Sequence, residues 1–435
     1  MLRTMIYKFI LFLLVFLIIY KPEFVFIPHS INTFFGAIGL LFFLFGHEDR
    51  RRILSHIEIR GKDFIRICIP FMLVAVVAIV VNFSFDMRYV KYAVPLFFSF
   101  WGAYLIAVIS YRAYGRFDAD IFIKYLLAGG LVYVLVSLLM FFSPPLNTLL
   151  TSMLRMDEVM VDAFMRTSGF RIIGFGATFF TSGVVTGFVL IMLAAYIVTH
   201  ELSYSQQIFY YFSYIFITIV GMMMARTALV GAGIGLAMIG LSLLKKPKDL
   251  IKTIFLVILV LAGIFYIITR FFSDFATELE TLFEFAFEMF FNLSDSGSMS
   301  TGSTDTLMTM WDIVPRTFKS WIIGDAKWNG AYGYYMNTDV GYLRNIWYFG
   351  IIGMAALTYY YYKTLKIVFI DRNPGFPNSR MLGLILFAYV MILNMKGPAD
   401  MFFYVIPLYF CSPVAEELPD ETEMITTETN EESTR

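Results

Sequence analysis

The chain is 435 residues long, 59% hydrophobic and 15% charged, with 48 phenylalanines. That is more apolar surface than a soluble core of this size hides, which excludes a soluble globular class. The 33 basic residues balance 33 acidic ones, so no net field calls for nucleic acid as a partner. Two cysteines, Cys68 and Cys411, both in apolar stretches, exclude a disulfide framework or a thiolate metal site.

Met1 to Lys8 is basic and leads into an apolar run ending at Tyr20. Lys21-Pro22-Glu23 offers no small-residue cleavage site, so this run reads as an uncleaved first span over 8–20. Further apolar segments fall at 28–46, 67–85, 91–110, 121–142, 183–199, 206–224, 227–244, 251–270, 343–362, 380–395 and 400–412. The sequence thus predicts an all-α integral membrane protein of about 12 transmembrane helices. The membrane domain covers 1–413, and an acidic, disordered tail follows over 414–435.

Orientation follows from the Lys/Arg bias of the short connections. The segment 47–66 holds Arg50, Arg51, Arg52, Arg60, Lys62 and Arg66. The segment 245–252 holds four lysines, and 363–380 holds Lys363, Lys366, Arg372 and Arg380. With twelve spans all three lie on the side of the N-terminus, so both ends are expected in the cytoplasm. From Gln207 to Leu244 the chain is almost wholly apolar, with Arg226 in the middle. One helix of that length would bury the charge at the bilayer centre, at a cost of about 2.5–3.5 kcal/mol. Two spans joined by a tight outer turn at Ala225-Arg226-Thr227 avoid this.

Two outer connections are long, about 143–182 and 271–342. The second opens on an acidic, Phe-rich segment, Asp274 to Phe291, with Glu280, Glu284 and Glu288 at helical spacing. It reads as an amphipathic helix lying at the membrane interface. Asn292 to Asp305 reads as a flexible stretch. Asp118-Ala119-Asp120 has the form of a metal-binding D-x-D but sits in a cytoplasmic connection. Gly231, Gly233, Gly235 and Gly240 read as helix-packing positions. His29, His47, His56 and His200 have no metal spacing.

The outer side should be poor in cations, yet Arg171, Arg226 and Arg344 each stand at the mouth of a span. An arginine fork suits phosphate oxygens. An anion site at the outer surface would accept a ligand with its head in water and its tail in lipid. The alternative is that these side chains reach headgroups or pair with loop carboxylates.

At these residues the chain resembles the bacterial O-antigen polymerases, the Wzy class, within the O-antigen ligase/polymerase superfamily. The likeness rests on Arg166-Thr-Ser-Gly-Phe-Arg171 with Phe180-Thr-Ser-Gly183, on Ala225-Arg226-Thr227-Ala228, and on Thr338-Asp339-Val340-Gly341-Tyr342-Leu343-Arg344 with Phe349-Gly350-Ile351-Ile352-Gly353. The resemblance implies a glycosyltransferase of the bacterial inner membrane that extends lipid-linked oligosaccharide. The donor would be a growing glycan on undecaprenyl pyrophosphate, the acceptor one lipid-linked repeat unit, and the reaction would occur on the periplasmic face. It further implies contacts with membrane lipid and with a chain-length regulator protein.

By the same resemblance, Arg166, Arg171, Arg226, Arg316 and Arg344 are expected to hold the donor pyrophosphate. Arg226 and Arg344 would neutralise the charge that develops as the C–O bond breaks. Asp339 would take the acceptor's proton, with Asp305 and Asp162 as alternatives. No cofactor and no metal are called for, because the donor already carries a good leaving group. Trp328 and Tyr342, with Trp311, Trp321, Tyr332, Tyr334 and Tyr335, are expected either to stack on sugar faces or to form an interfacial aromatic belt. The ligases of the superfamily use a histidine in the large outer loop. This chain has none after His200, which favours polymerase over ligase. A flippase or transporter would place cations within the spans, and these spans are nearly free of them.

Overall fold

The computed structural model describes residues 2–412 except 57–60, 157, 168, 245–250, 254–256, 260–261, 264–265, 267–269, 271–275, 299 and 331–332. The acidic tail 414–435, Lys245, Lys246, Lys248, Tyr332, Asp274 and half of the expected span 251–270 lie outside the described residues. So does the side chain of Asp162.

Among the described residues the fold is helical but for one two-residue-per-strand hairpin. The helices are α1 (Leu2–Tyr20), α2 (Ile31–Phe45), α3 (His47–His56), α4 (Gly61–Val81), α5 (Arg88–Lys91), α6 (Ala93–Tyr114), α7 (Ala119–Phe142), α8 (Pro144–Ser152), α9 (Glu158–Thr167), α10 (Phe179–Thr199), α11 (Tyr204–Met224) and α12 (Ala228–Leu244). After the partly described stretch come α13 (Ala276–Ser296), α14 (Gly302–Trp311), α15 (Phe318–Ile322), α16 (Gly341–Lys366), α17 (Ser379–Asn394) and α18 (Phe402–Tyr409). The hairpin pairs β1 (Asn329–Gly330) antiparallel with β2 (Gly333–Tyr334).

Among the described residues six helices are long and apolar enough to cross a bilayer, or seven if α2 and α3, which meet at 91°, form one broken span. The chain is a multi-pass membrane protein. Several expected spans are shorter or broken. α12 and α17 have 17 and 16 residues. The segment 400–412 is helical over only eight residues, about 12 Å at the α-helical rise. It nonetheless runs the length of α6. Asp400 bonds Tyr92 at the head of α6, and the Ser412 N–H donates to Phe117 O beyond its tail. The expected hydrophilic connection 47–66 holds α3, whose Asp49 pairs with Arg112 of α6 at 2.5 Å.

α10 lies at the centre, with 89% of its apolar stretch buried inside the protein. It packs on α11, α12 and α7. α12 can come this close because Gly231 faces Gly187; a Cβ on Gly231 would stand 2.2 Å from the Gly187 Cα. On the other side α1 packs on α6 and α7, and α16 on α4.

α16 is broken at Phe349-Gly350, where Gly350 takes φ 70°. The break frees carbonyls that a membrane offers no water to satisfy. The second long connection satisfies them: Asp325 N–H donates to Trp347 O at 2.7 Å and Ala326 N–H to Tyr348 O at 2.9 Å. The same strip is tied to the α4–α5 connection. Asn82 Nδ2 donates to Gly324 O, Ser84 Oγ to Ala326 O, and Trp328 N–H to Asp86 Oδ2. Phe349-Gly350-Ile351-Ile352-Gly353 is thus a kink motif that docks residues 324–328.

Candidate functional site

Both long connections fold over the same end of the bundle, and two cavities lie beneath them. The first, about 370 Å³, is lined by Arg171, Arg226, Lys396, Phe180, Phe285 and Thr227 among others.

Arg226 stands in the turn expected from the sequence, between α11 and α12. Arg171 comes from the first long connection. Its Nε and Nη2 both donate to Met224 O, and Ile172 N–H donates to Met223 O at 3.1 Å. The guanidinium therefore caps the carbonyl end of α11, where the helix dipole favours a cation. Burial, then the nearby Arg226, lowers the Arg171 pKa to about 10, so it is charged at neutral pH. Both guanidinium groups rest on the ring of Phe285, at 5.4 Å for Arg171 and 4.7 Å for Arg226.

Lys396, in the turn after α17, is the third cation. Burial first, then Arg226 and Arg171, lower its pKa to about 8. Three cations share a cavity with one carboxylate paired to them, Glu288 on Arg226. Thr227 Oγ1 is buried there without a hydrogen-bond partner. The arrangement suits a multiply charged anion with several acceptor oxygens.

α13 was expected to lie at the membrane interface. It packs on α11, burying Leu282 and Ala286, and its Phe285 and Glu288 reach over the cations. The amphipathic pattern is real: Leu282 and Ala286 are buried against protein, while Phe290, Phe291 and Leu293 stay exposed.

The second cavity, about 260 Å³, shares Phe180 with the first. Its lining includes Arg88, Tyr92, Trp328, Tyr361, Phe403 and Asp400. Asp400 Oδ2 accepts from Tyr92 at 2.7 Å and Tyr360 at 3.0 Å, and Oδ1 accepts from Phe402 N–H at 2.8 Å. Lys21 approaches from the end of α1, 3.8 Å over the Phe403 ring, its pKa lowered by burial to about 8.

Arg344 does not join Arg171 and Arg226, so an anion site built on all three arginines is corrected. Its guanidinium lies over Trp328 at 3.9 Å and Tyr334 at 3.4 Å. The residue is 5% exposed, and Nε and Nη2 have no hydrogen-bond partner. The kink in α16 and the β1–β2 hairpin fold the aromatic residues onto it. Arg88 also lies over Trp328, at 4.1 Å.

Asp339 is exposed at the edge of the site and neither caps α16 nor forms a salt bridge with Arg344. The crowded surroundings raise its pKa, while Arg344 and Lys396 hold it down. Arg166 and Arg316 are exposed, and neither lines the two cavities. Tyr342 donates to Met391 O at 2.7 Å and packs on Trp311, so its hydroxyl ties α16 to α17. Asp305 is exposed in the first turn of α14. Asp118 caps α7 and pairs with Arg116, and Asp120 pairs with His200, at the opposite end of the bundle.

Sequence reasoning missed Lys396, Phe285 and Asp400. The available signal was the polar island Lys396-Gly-Pro-Ala-Asp400 between two apolar segments. No family model, curated protein or solved structure matches the chain.

Proposed function

We propose that the chain is a polymerase of lipid-linked oligosaccharide repeat units, a glycosyltransferase of the O-antigen polymerase type. It transfers a growing glycan from undecaprenyl pyrophosphate to a lipid-linked acceptor at the outer face of the bacterial inner membrane. In this reading the chain has twelve spans with both ends in the cytoplasm, and the cation cavity opens to the periplasm. The observation that carries the reading is the meeting of Arg171, Arg226 and Lys396 in one cavity under the two long connections.

The acceptor hydroxyl oxygen attacks the anomeric carbon of the donor sugar. The C–O bond to the pyrophosphate breaks, and its electron pair leaves on the pyrophosphate oxygen. Arg171, Arg226 and Lys396 neutralise that charge; one such preorganised donor is worth about 10²–10³ in rate. The hydroxyl proton goes to Asp339, the carboxylate at the edge of the site whose charge acts on Lys396. Arg344 acts at a remove, by fixing Trp328.

The test is reconstitution in liposomes with a polyprenyl-pyrophosphate-linked repeat unit, with products resolved by length. A glycan ladder that Arg226→Ala and Lys396→Ala abolish in folded protein supports the reading. Transbilayer movement of the lipid with no ladder sinks it.

A further inference from the structure

The second cavity has a chemistry different from the first. Its walls are aromatic side chains from Tyr89, Tyr92, Trp328, Tyr361, Phe403 and Tyr404, on four separate stretches of chain. One carboxylate, Asp400, and one guanidinium, Arg88, complete it. A carboxylate has about four lone-pair positions. Three on Asp400 are used by Tyr92, Tyr360 and Phe402 N–H. Oδ2 carries two of these bonds and Oδ1 only one, so Oδ1 has a position left for an incoming O–H or N–H.

We propose that this ring-lined cavity is a saccharide subsite, in which Asp400 accepts a sugar hydroxyl and the tyrosine rings pack on the pyranose C–H faces. Arg88 supplies donors to a ring or acyl oxygen. A phosphate is disfavoured by Asp400, and a polyprenyl tail by the carboxylate and guanidinium together. The volume suits a compact ligand head with a few placed polar groups. Phe180 forms a wall of both cavities. A ligand whose anion lies on Arg171, Arg226 and Lys396 has this cavity next to it for its sugar. This deepens the polymerase reading and rests on it for the identity of the sugar's carrier, though not for sugar binding itself.

The test uses the full chain in lipid nanodiscs with two kinds of probe. Methyl glycosides of glucose, galactose, mannose, rhamnose and N-acetylglucosamine are tested by saturation-transfer NMR, and inorganic pyrophosphate by calorimetry. At least one glycoside is expected to bind, and Asp400→Asn should weaken it by about tenfold or more, as losing a hydrogen bond to a charged group does. Arg226→Ala should leave glycoside binding unchanged and weaken pyrophosphate. Asp400→Asn should do the reverse, and retained pyrophosphate binding shows that it is folded. If Asp400→Asn loses both ligands, Thr181→Trp decides, because it fills the cavity mouth without touching Asp400's bonds. It should lose the glycoside and keep pyrophosphate. No glycoside binding, or binding that survives the deciding variant, overturns the subsite. Loss of pyrophosphate binding alone overturns the polymerase reading and leaves the subsite standing.

Discussion

Glu288 bonds Arg226 Nη1 through one carboxylate oxygen and the backbone N–H of Gly302 through the other, the latter at 3.1 Å. It therefore occupies the place on Arg226 that an anionic ligand would take, and it holds α13 to the head of α14 at the same time. Binding a pyrophosphate must displace it. Glu288→Gln removes the competing charge and is expected to raise pyrophosphate affinity by about 3–10-fold, since truncating a charge beside a site shifts binding on that scale. The cost is weaker docking of α13, about 1 kcal/mol for a half-buried pair. Calorimetry reads the first effect and hydrogen exchange over 276–305 the second. Lower affinity in Glu288→Gln would show that the carboxylate positions Arg226 rather than competing for it.

Lys396 sets a pH limit on anion binding. Its pKa is lowered from 10.5 to about 8 by burial and by the two arginines. It is a cation at neutral pH and becomes neutral as pH rises through 8, so pyrophosphate affinity should fall between about pH 7.5 and 9. Lys396→Arg should move that limit upward. Lys21 titrates in the same range but faces Phe403 and Asp400, so Lys21→Arg should leave the anion profile in place. The stability effect has the opposite sign. Above pH 8 the unfolded chain binds more protons at this site than the folded one, so stability rises with pH up to about 10.5. Holding Lys396 charged thus destabilises the empty protein. Lys396→Met is expected to raise thermal stability, by about 1 kcal/mol after allowing for solvent screening, while weakening pyrophosphate binding. A variant weaker in both respects would refute this assignment of the cation.

The individual helices were legible where apolar runs ended on local signals. The run 121–142 becomes Ala119–Phe142 because Asp118 caps it, accepting from Ile121 N–H at 2.8 Å. The run 206–224 becomes Tyr204–Met224 because Ser203 and Gln206 form a capping box. Arg226 was legible because a charge between two apolar runs needs a turn. The partners of Arg226 were not. Lys396 lies 170 positions away along the chain and Glu288 lies 62 away, and no period or spacing links them. Arg344 misled for a related reason. Its place at the head of a span suggested a surface cation, but the break at Gly350 docks residues 324–328, which set Trp328 over it, and that docking is tertiary.

The packing of α12 on α10 can be tested by contrasting two glycines on one helix. Gly231 faces Gly187 with no room for a Cβ, whereas Gly233 has open space. Gly231→Ala is expected to destabilise by about 1–3 kcal/mol through overpacking. Gly233→Ala should be neutral or stabilise by up to about 1 kcal/mol through helix propensity. Because Arg226 stands at the mouth of α12, Gly231→Ala should also weaken pyrophosphate binding. Thermal unfolding in detergent with calorimetry checks both, and equal effects of the two substitutions would exclude the close contact.

Arg344 offers the sharpest separation of structure from chemistry. Its guanidinium carbon lies over the Trp328 and Tyr334 rings, with Nε and Nη2 buried and without a hydrogen-bond partner. A planar, weakly hydrated cation tolerates that place, whereas a lysine ammonium is a compact and strongly hydrated charge. Arg344→Lys keeps the charge and loses the stack, so it is expected to destabilise residues 324–335 by about 2–4 kcal/mol, the scale of a mismatched buried charge. Arg344→Met fills the same space without charge and should cost less than the lysine, although it is the less conservative change in charge. Tryptophan emission should shift to the red in Arg344→Lys as Trp328 meets water, and less so in Arg344→Met. If Arg344→Lys instead leaves the emission and melting temperature unchanged while abolishing polymer formation, Arg344 touches the substrate, and its role belongs with Arg226 rather than with the scaffold around Trp328.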